Sequence, residues 1–214
     1  MLGIWGQWSF GNNAITNIGD DGDHAVETSG PIDFSNNTAA AAIAAGLSHT
    51  CALLSGGNVR CWGLGSNGRL GNNTTTGYGY NTTTNVVAAS GPIAFGNNAT
   101  ATAIVVGGDH SCAVIANETM KCWGSGVQGQ LGNGILDYGS NTTYPVANSI
   151  ISGLTVAVMD AGKFHTCAIV QDKTVKCWGS NDKGQLGLAS SETYGTPTTN
   201  ACTTTPPAAS IKLR

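Results

Sequence analysis

Gly107-Gly108-Asp109-His110-Ser111-Cys112-Ala113-Val114, followed by Met120-Lys121-Cys122-Trp123-Gly124 and Gly129-Gln130-Leu131-Gly132, decides the fold because it occurs three times. The preceding copy runs Gly46-Leu47-Ser48-His49-Thr50-Cys51-Ala52-Leu53, then Val59-Arg60-Cys61-Trp62-Gly63, then Gly68-Arg69-Leu70-Gly71. The following copy runs Gly162-Lys163-Phe164-His165-Thr166-Cys167-Ala168-Ile169, then Val175-Lys176-Cys177-Trp178-Gly179, then Gly184-Gln185-Leu186-Gly187. Trp62 and Trp123 are 61 residues apart and Trp123 and Trp178 are 55 apart, so the period drifts only in the connections. Trp5 precedes Trp62 by 57 residues, which makes Ile4-Trp5-Gly6 the tail of an incomplete fourth copy. Self-similarity at such a period marks an array of like units, each of which buries its apolar face against its neighbours.

Each copy contains two short β-type runs, Thr50 to Leu54 and Val59 to Trp62 in the first, separated by turn residues. A further apolar run precedes each hairpin, at Ala40 to Ala45, Ala101 to Val106 and Thr155 to Met159. No segment sustains a 3.6-residue apolar period with caps at its ends. The prediction is an all-β protein of propeller-type blades: three complete repeats, split terminal blades and stapled hairpins. The boundaries are a partial repeat over 1–39, repeats over 40–100, 101–154 and 155–207, and the first strand of a further, shared blade over 208–214. That last assignment aligns Ala208-Ala209-Ser210-Ile211-Lys212-Leu213-Arg214 with Ala101 to Gly107. Ile4 stands where the other copies have cysteine, so the chain is expected to start naturally inside a blade.

Composition narrows the function classes. The 214 residues include 31 Gly, 19 Asn and 25 Thr, while charged residues make up 10%; soluble domains usually carry roughly 25%. Turns are therefore numerous and the polar surface is mostly uncharged. Nine basic residues against twelve acidic ones give a net charge of −3 with no basic run, so neither a nucleic-acid backbone nor an anionic bilayer is an expected partner. No stretch reaches the roughly 18 apolar residues of a membrane helix. Met1-Leu2-Gly3-Ile4-Trp5 lacks the basic start and apolar run of a secretory signal.

The order Gly, His-Thr-Cys-Ala, Val-x-Cys-Trp-Gly and Gly-Gln-Leu-Gly resembles the repeat of the regulator of chromosome condensation family. The cysteines make it most similar to the bacterial variant of that repeat, and Asn17-Ile18-Gly19-Asp20-Asp21 is similar to its inter-blade connection. The resemblance covers nearly the whole chain, from Ile4 to about Pro207. It implies propeller blades, usually about seven to a ring. It implies little about function, because such propellers host exchange factors, secreted inhibitors and scaffolds alike.

Cys51 and Cys61, Cys112 and Cys122, and Cys167 and Cys177 are each ten residues apart with the turn midway. In an antiparallel hairpin with an odd loop the two residues lie opposite each other, about 4.5 Å apart between Cα atoms at a non-hydrogen-bonded pair, within reach of a disulfide. Zinc is the rival, but these pairs lack the Cys-x-x-Cys geometry of zinc sites. Three intra-blade disulfides place the protein in an oxidising setting, extracellular or at the cell surface. Cys202 is the odd cysteine, either a free thiol or a link to another chain.

His49, His110 and His165 occupy one repeat position, which favours a structural role over a catalytic one. Trp62, Trp123 and Trp178 read as packing anchors. No Gly-x-Ser-x-Gly elbow, phosphate-binding loop or His-Glu-x-x-His motif is present, so no catalytic residue and no cofactor are expected. Asp20, Asp21 and Asp23, with His24 and Glu27 near them, form a weak metal candidate without the spacing of a calcium loop. Asn36, Asn72, Asn73, Asn81, Asn98, Asn117 and Asn141 begin N-x-Ser/Thr triplets that fit surface loops and could accept glycans.

The first functional reading is a non-catalytic, secreted or cell-surface structural protein that self-assembles through open terminal blades into a head-to-tail polymer, as an extracellular filament subunit. The alternative is a protein- or ligand-binding module, similar to secreted β-lactamase inhibitors of this repeat type. Tyr78, Tyr80, Tyr138, Tyr144 and Tyr194 in the connections would serve it. A nucleotide-exchange role fits poorly with the acidic balance and the cysteine pairs.

Overall fold

The computed structural model describes residues 31–80, 86–116, 119–134, 150–151, 155–187 and 211–212. Among these residues eleven strands form three antiparallel sheets. The first blade holds β1 (Ala40–Ala45), β2 (His49–Leu54) and β3 (Val59–Gly63). The second holds β4 (Ala101–Val106), β5 (His110–Ile115), β6 (Met120–Gly124) and β7 (Ile150–Ile151). The third holds β8 (Val156–Ala161), β9 (His165–Val170), β10 (Thr174–Gly179) and β11 (Ile211–Lys212). Among the described residues no helix is long and apolar enough to cross a membrane.

The same local choices recur in each blade. The first strand shifts register near its start, between Ala40 and Ala42, Ala101 and Ala103, and Val156 and Val158. In the next hairpin Cys51 faces Cys61, Cys112 faces Cys122 and Cys167 faces Cys177, with Cα atoms 4.1 Å apart in every case. Each pair is joined as a disulfide, with S–S distances of 2.01, 2.10 and 2.14 Å.

The core lies between blades, because successive residues of a strand point to opposite faces of its sheet. In β2, Cys51 and Leu53 face the second blade and join a cluster with Val59, Cys61, Ile93, Phe95, Ile115 and Trp123. Ala52 and Leu54 face the other way and pack with Trp62, Val87, Ile32 and Phe34. The second joint repeats the plan, with Cys112, Val114 and Met120 of the second blade against Val156, Met159, Ala168 and Trp178 of the third. Aromatic contacts support two of these interfaces, Phe34 on Trp62 at 5.7 Å and Phe95 on Trp123 at 6.0 Å between ring centroids. Near the ends of β1, β4 and β8 the blades converge on glycines. A Cβ on Gly46 would lie 2.3 Å from the Gly107 carbonyl oxygen, and one on Gly107 would lie 2.6 Å from that of Gly162.

The C-terminal segment departs from the sequence alignment. Ile211 and Lys212, expected to open a further blade, instead pair antiparallel with Val175 and Thr174 as the fourth strand of the third blade. β7 holds the same place on the second blade through Ile151 and Met120. A short apolar run suits either end of a blade, and the outer edge of β10 offers unpaired backbone groups that β11 satisfies.

The staples close loops of similar length, so their loss is expected to cost about the same in each blade. Replacing Cys112 and Cys122 together by serine should lower unfolding stability by roughly 2–3 kcal/mol. Urea unfolding of the oxidised double variant and the wild type measures it; equal midpoints would remove the disulfide from the account of stability.

Candidate functional site

The candidate site is the joint between blades. After β3 and β6 the chain makes a Gly-x-Leu-Gly turn in which the Gly71 N–H donates to the Gly68 carbonyl and the Gly132 N–H to that of Gly129, both at 3.0 Å. The carbonyl of the residue within each turn then faces the next blade and accepts twice. Arg69 O receives the Ser111 hydroxyl at 3.2 Å and the Trp123 indole Nε1–H at 3.0 Å. Gln130 O receives the Thr166 hydroxyl at 2.9 Å and the Trp178 indole at 3.0 Å. Glycine closes the turn for a steric reason: a Cβ on Gly71 or Gly132, both at positive φ, would lie 2.7 or 2.6 Å from that indole nitrogen.

The histidines complete the joint. His49 Nε2 lies 2.8 Å from Ser111 Oγ and His110 Nε2 lies 2.9 Å from Thr166 Oγ1. Each hydroxyl spends its hydrogen on the carbonyl, so its oxygen accepts from an Nε2–H and the ring is the Nε2-protonated tautomer. The Nδ1 atoms of His49 and His110 are buried without a hydrogen-bond partner, a lone pair left bare instead of a stranded proton. Burial pushes both imidazoles down to a pKa of about 3, helped at His49 by Arg69 and His110 and at His110 by His165. A neutral ring held to one hydroxyl is a structural donor, with neither a reactive proton nor an open substrate position.

The two joints differ in one pair. Arg69 is 5% exposed along its side chain and pairs with Asp109 of the second blade at 2.8 Å, while its Nε donates to the Ser66 carbonyl at 2.8 Å. The equivalent Gln130 donates nothing across: its Oε1 accepts the Gln128 N–H at 2.8 Å and its Nε2 is buried without a partner. In the place of Asp109 the third blade carries Phe164, beside the Lys163 ammonium at 4.9 Å from the ring centroid. A matched ion pair at one joint and none at the other makes the blades non-interchangeable, since a buried charge without its partner is strongly unfavourable.

The third blade has the outgoing half of a joint and no blade against it among the described residues. Along β5 every residue is buried, but along β9 burial alternates: Thr166, Ala168 and Val170 are buried against the second blade, whereas His165, Cys167 and Ile169 are half-buried. His165 is the third of the series; burial lowers its pKa against the opposing pull of Asp160.

The remaining sequence candidates fall as follows. Tyr78 is half-buried, bridges Gly63 through paired backbone bonds at 2.8 and 3.0 Å and packs against two apolar clusters, so it is no free recognition side chain. Asn36, Asn73 and Asn98 are exposed at left-handed φ of 54°, 59° and 54°. Asn tolerates that region, which gives these triplets a turn-forming reason. Asn72 is half-buried, and its side-chain oxygen accepts the Thr74 N–H and hydroxyl at 3.3 and 3.2 Å. Asp20, Asp21, Asp23, Asn81, Asn117, Asn141, Tyr138, Tyr144, Tyr194 and Cys202 lie outside the described residues. Among the described residues no three His, Cys, Asp or Glu side chains are placed to hold a metal ion. Sequence reasoning missed the Ser111 and Thr166 hydroxyls and the turn carbonyls. A hydroxyl residue immediately before the first cysteine of every copy was the available signal.

Antiparallel blades stacked face to face, each locked to the next at a glycine turn, define a β-propeller-type repeat protein. The chain belongs to the regulator of chromosome condensation (RCC1) repeat family: residues 40–69, 101–130 and 156–185 match one model of that repeat and residues 122–169 another. It is 31% identical over 151 residues to the ultraviolet-B receptor UVR8 of Arabidopsis thaliana, covering 70% of this chain and 32% of the receptor. To the E3 ubiquitin-protein ligase HERC2 of Homo sapiens it is 30% identical over 151 residues, covering 70% of this chain and 3% of the ligase. The chain thus spans about a third of the receptor and a small part of the ligase. Among solved structures it is similar to yeast RCC1 (Prp20) bound to Kap60, with a TM-score of 0.56 and 23% identity, covering 83% of this chain and 36% of the other. Human WBSCR16 gives 0.50 and 21%, covering 71% and 35%. These structural likenesses establish the fold.

Two measurements test the joint. The depressed histidines contribute stability that is fully present above their ordinary pKa of 6.5 and is lost as pH falls from 6.5 toward about 3, at up to about 1.4 kcal/mol per pH unit for each ring. Denaturant unfolding at pH 7.5, 6.5, 5.7 and 5.0 should show that decline before the carboxylates titrate; a flat profile would contradict sequestered neutral rings. Thr166→Val leaves His110 Nε2–H without its acceptor and should cost about 1–3 kcal/mol. The same change at exposed Thr76 should stay within about 0.5 kcal/mol, and equal effects at both sites would remove the hydroxyl from the joint.

Proposed function

We propose that this chain is a non-catalytic structural protein of an extracellular or cell-surface setting, acting through protein–protein contact and assembling with further copies of itself. The observation that carries the reading is the half-buried outgoing face of the third blade, whose counterparts on the first two blades are both covered by a following blade. A strand with every second residue half-buried on one face, as in β9, suits a protein neighbour. The joints use their titratable groups as structural donors, which supports the non-catalytic reading. Disulfides joining all six cysteines among the described residues support an oxidising setting.

Protein contact also agrees with the family. Solved structures of yeast Prp20 are described with Kap60 bound and with binding properties toward Gsp1p and histones; the class of partner, a protein, is what we carry over. Secretion would make the exposed Asn36, Asn73 and Asn98 available to glycosylation, and would leave Cys202 free to link copies.

Light scattering coupled to size separation, in non-reducing buffer and with negative-stain imaging, tests the assembly. We expect particles well above the 21.7 kDa of one chain, growing with concentration. Dissociation by reductant would assign the contact to Cys202, and persistence would assign it to blade faces. A monomer at every concentration would overturn self-assembly and leave a protein-binding module for other partners.

A further inference from the structure

Two large apolar side chains stand exposed on strands, and both belong to the ends of the array. Ile43 of β1 is 66% exposed and Val158 of β8 is 57% exposed. Strand register shows what each should be touching. Ile43 pairs with Ala52 as Ile104 pairs with Ala113 and Met159 with Ala168, so the three are equivalent. Ile104 packs into the core of the first joint, and Met159, 7% exposed, into that of the second. Ile43 is the member of the series that no blade among the described residues receives. Val158 likewise matches Ala103, which packs toward the third blade in the second joint. Val158 faces away from the second blade, beside the half-buried Cys167 and Ile169.

We propose that the outgoing face of the third blade docks onto the exposed side of β1 in a second copy of this chain, head to tail, through the apolar inner-strand part of the contact that joins blades within the chain, the tryptophan part being filled by Ile32 and Phe34. The proposal deepens the self-assembly reading and rests on it. The interface continues one that the molecule already makes twice. The receiving face offers the half-buried Cys167 and Ile169, with Cys177 and Leu186 already buried at 5% and 1% exposure, where the first blade offers Cys51, Cys61, Leu53 and Leu70 to Ile104. The entering strand is Ala-Ala-Ala-Ile-Ala-Ala, small and uncharged, so it brings no desolvation cost of its own charges. One position departs from the internal pattern: Asp160 stands where Ala44 and Val105 stand in the other blades. It is exposed and its carboxylate accepts the Ala161 N–H at 2.8 Å, and because the uncharged β1 offers it no partner it opposes docking unless it stays in water at the rim. Because the two faces are different surfaces, the contact is heterologous and propagates to a ring or a filament.

The test uses two single variants of the full chain, Ile43→Asp and Val158→Asp, each blocking one face and leaving the other intact. Both positions are solvent-exposed, so both variants should melt within a few degrees of the wild type, which thermal unfolding checks. At concentrations where the wild type assembles, each variant alone should remain at 21.7 kDa and need at least tenfold more protein to associate. An equimolar mixture should form a dimer and nothing larger, since only one compatible pair of faces remains. If the wild type assembles and the variants assemble equally well, or the mixture stays monomeric, the head-to-tail contact is wrong while self-assembly stands. If the wild type itself is monomeric at every concentration, both fall.

Discussion

The carbonyls of Arg69 and Gln130 each accept two hydrogen bonds from the following blade, and the rest of the architecture is arranged to make that possible. A backbone carbonyl reaches across only if its turn releases it from local pairing, hence the Gly-x-Leu-Gly closure. An indole reaches the carbonyl only if the closing residue lacks a Cβ, hence Gly71 and Gly132. The hydroxyl needs a donor behind it once its own hydrogen is spent, hence a histidine in the preceding blade. Each partner is buried, so loss of any one strands the others in a medium that charges about 1–3 kcal/mol for an unmatched polar group.

Apolar burial and polar matching divide the work between them. The Cys, Leu, Val and Met faces supply the non-directional attraction, which would tolerate sliding of one sheet over another. The four-group joint tolerates none, since sliding one blade over the next would carry each turn carbonyl out of reach of the hydroxyl and indole that bond it at 2.9–3.2 Å. Arg69 with Asp109, against Gln130 with no charged counterpart, adds a preference for which blade follows which. An array of near-identical units needs such a device, because otherwise any outgoing face would accept any incoming one.

The repeat, its strands and the cysteine pairing were legible because they depend on period-two alternation and a fixed spacing within one hairpin. The joint was not, although all its side chains recur in register. Its acceptor is a backbone atom, which leaves no side-chain signature, and its partners lie 36 to 62 residues apart in sequence. The histidines were legible as structural by their repetition, but their hydroxyl partners required the fold. Tyr78 and β11 show the opposite limit. A tyrosine in a connection reads as exposed until the connection folds back on Gly63, and a short apolar run fits an outer strand as well as an inner one until its neighbour is known.

The end faces follow from the same physics as the joints. Within the array, each blade turns its disulfide side to the next blade and its tryptophan side to the one before. The chain therefore has a direction, and its two ends differ in kind. The tryptophan side of the first blade is largely filled from within the chain, where Ile32 and Phe34 cover Trp62, and what stays open there is the inner strand carrying Ile43. The disulfide side of the third blade has no such cover among the described residues, and its half-burial falls on His165, Cys167 and Ile169, the outgoing positions that the second blade has buried. Charge opposes contact at neither end except at Asp160. A polar repeat with few charged residues has little other means of keeping such faces apart.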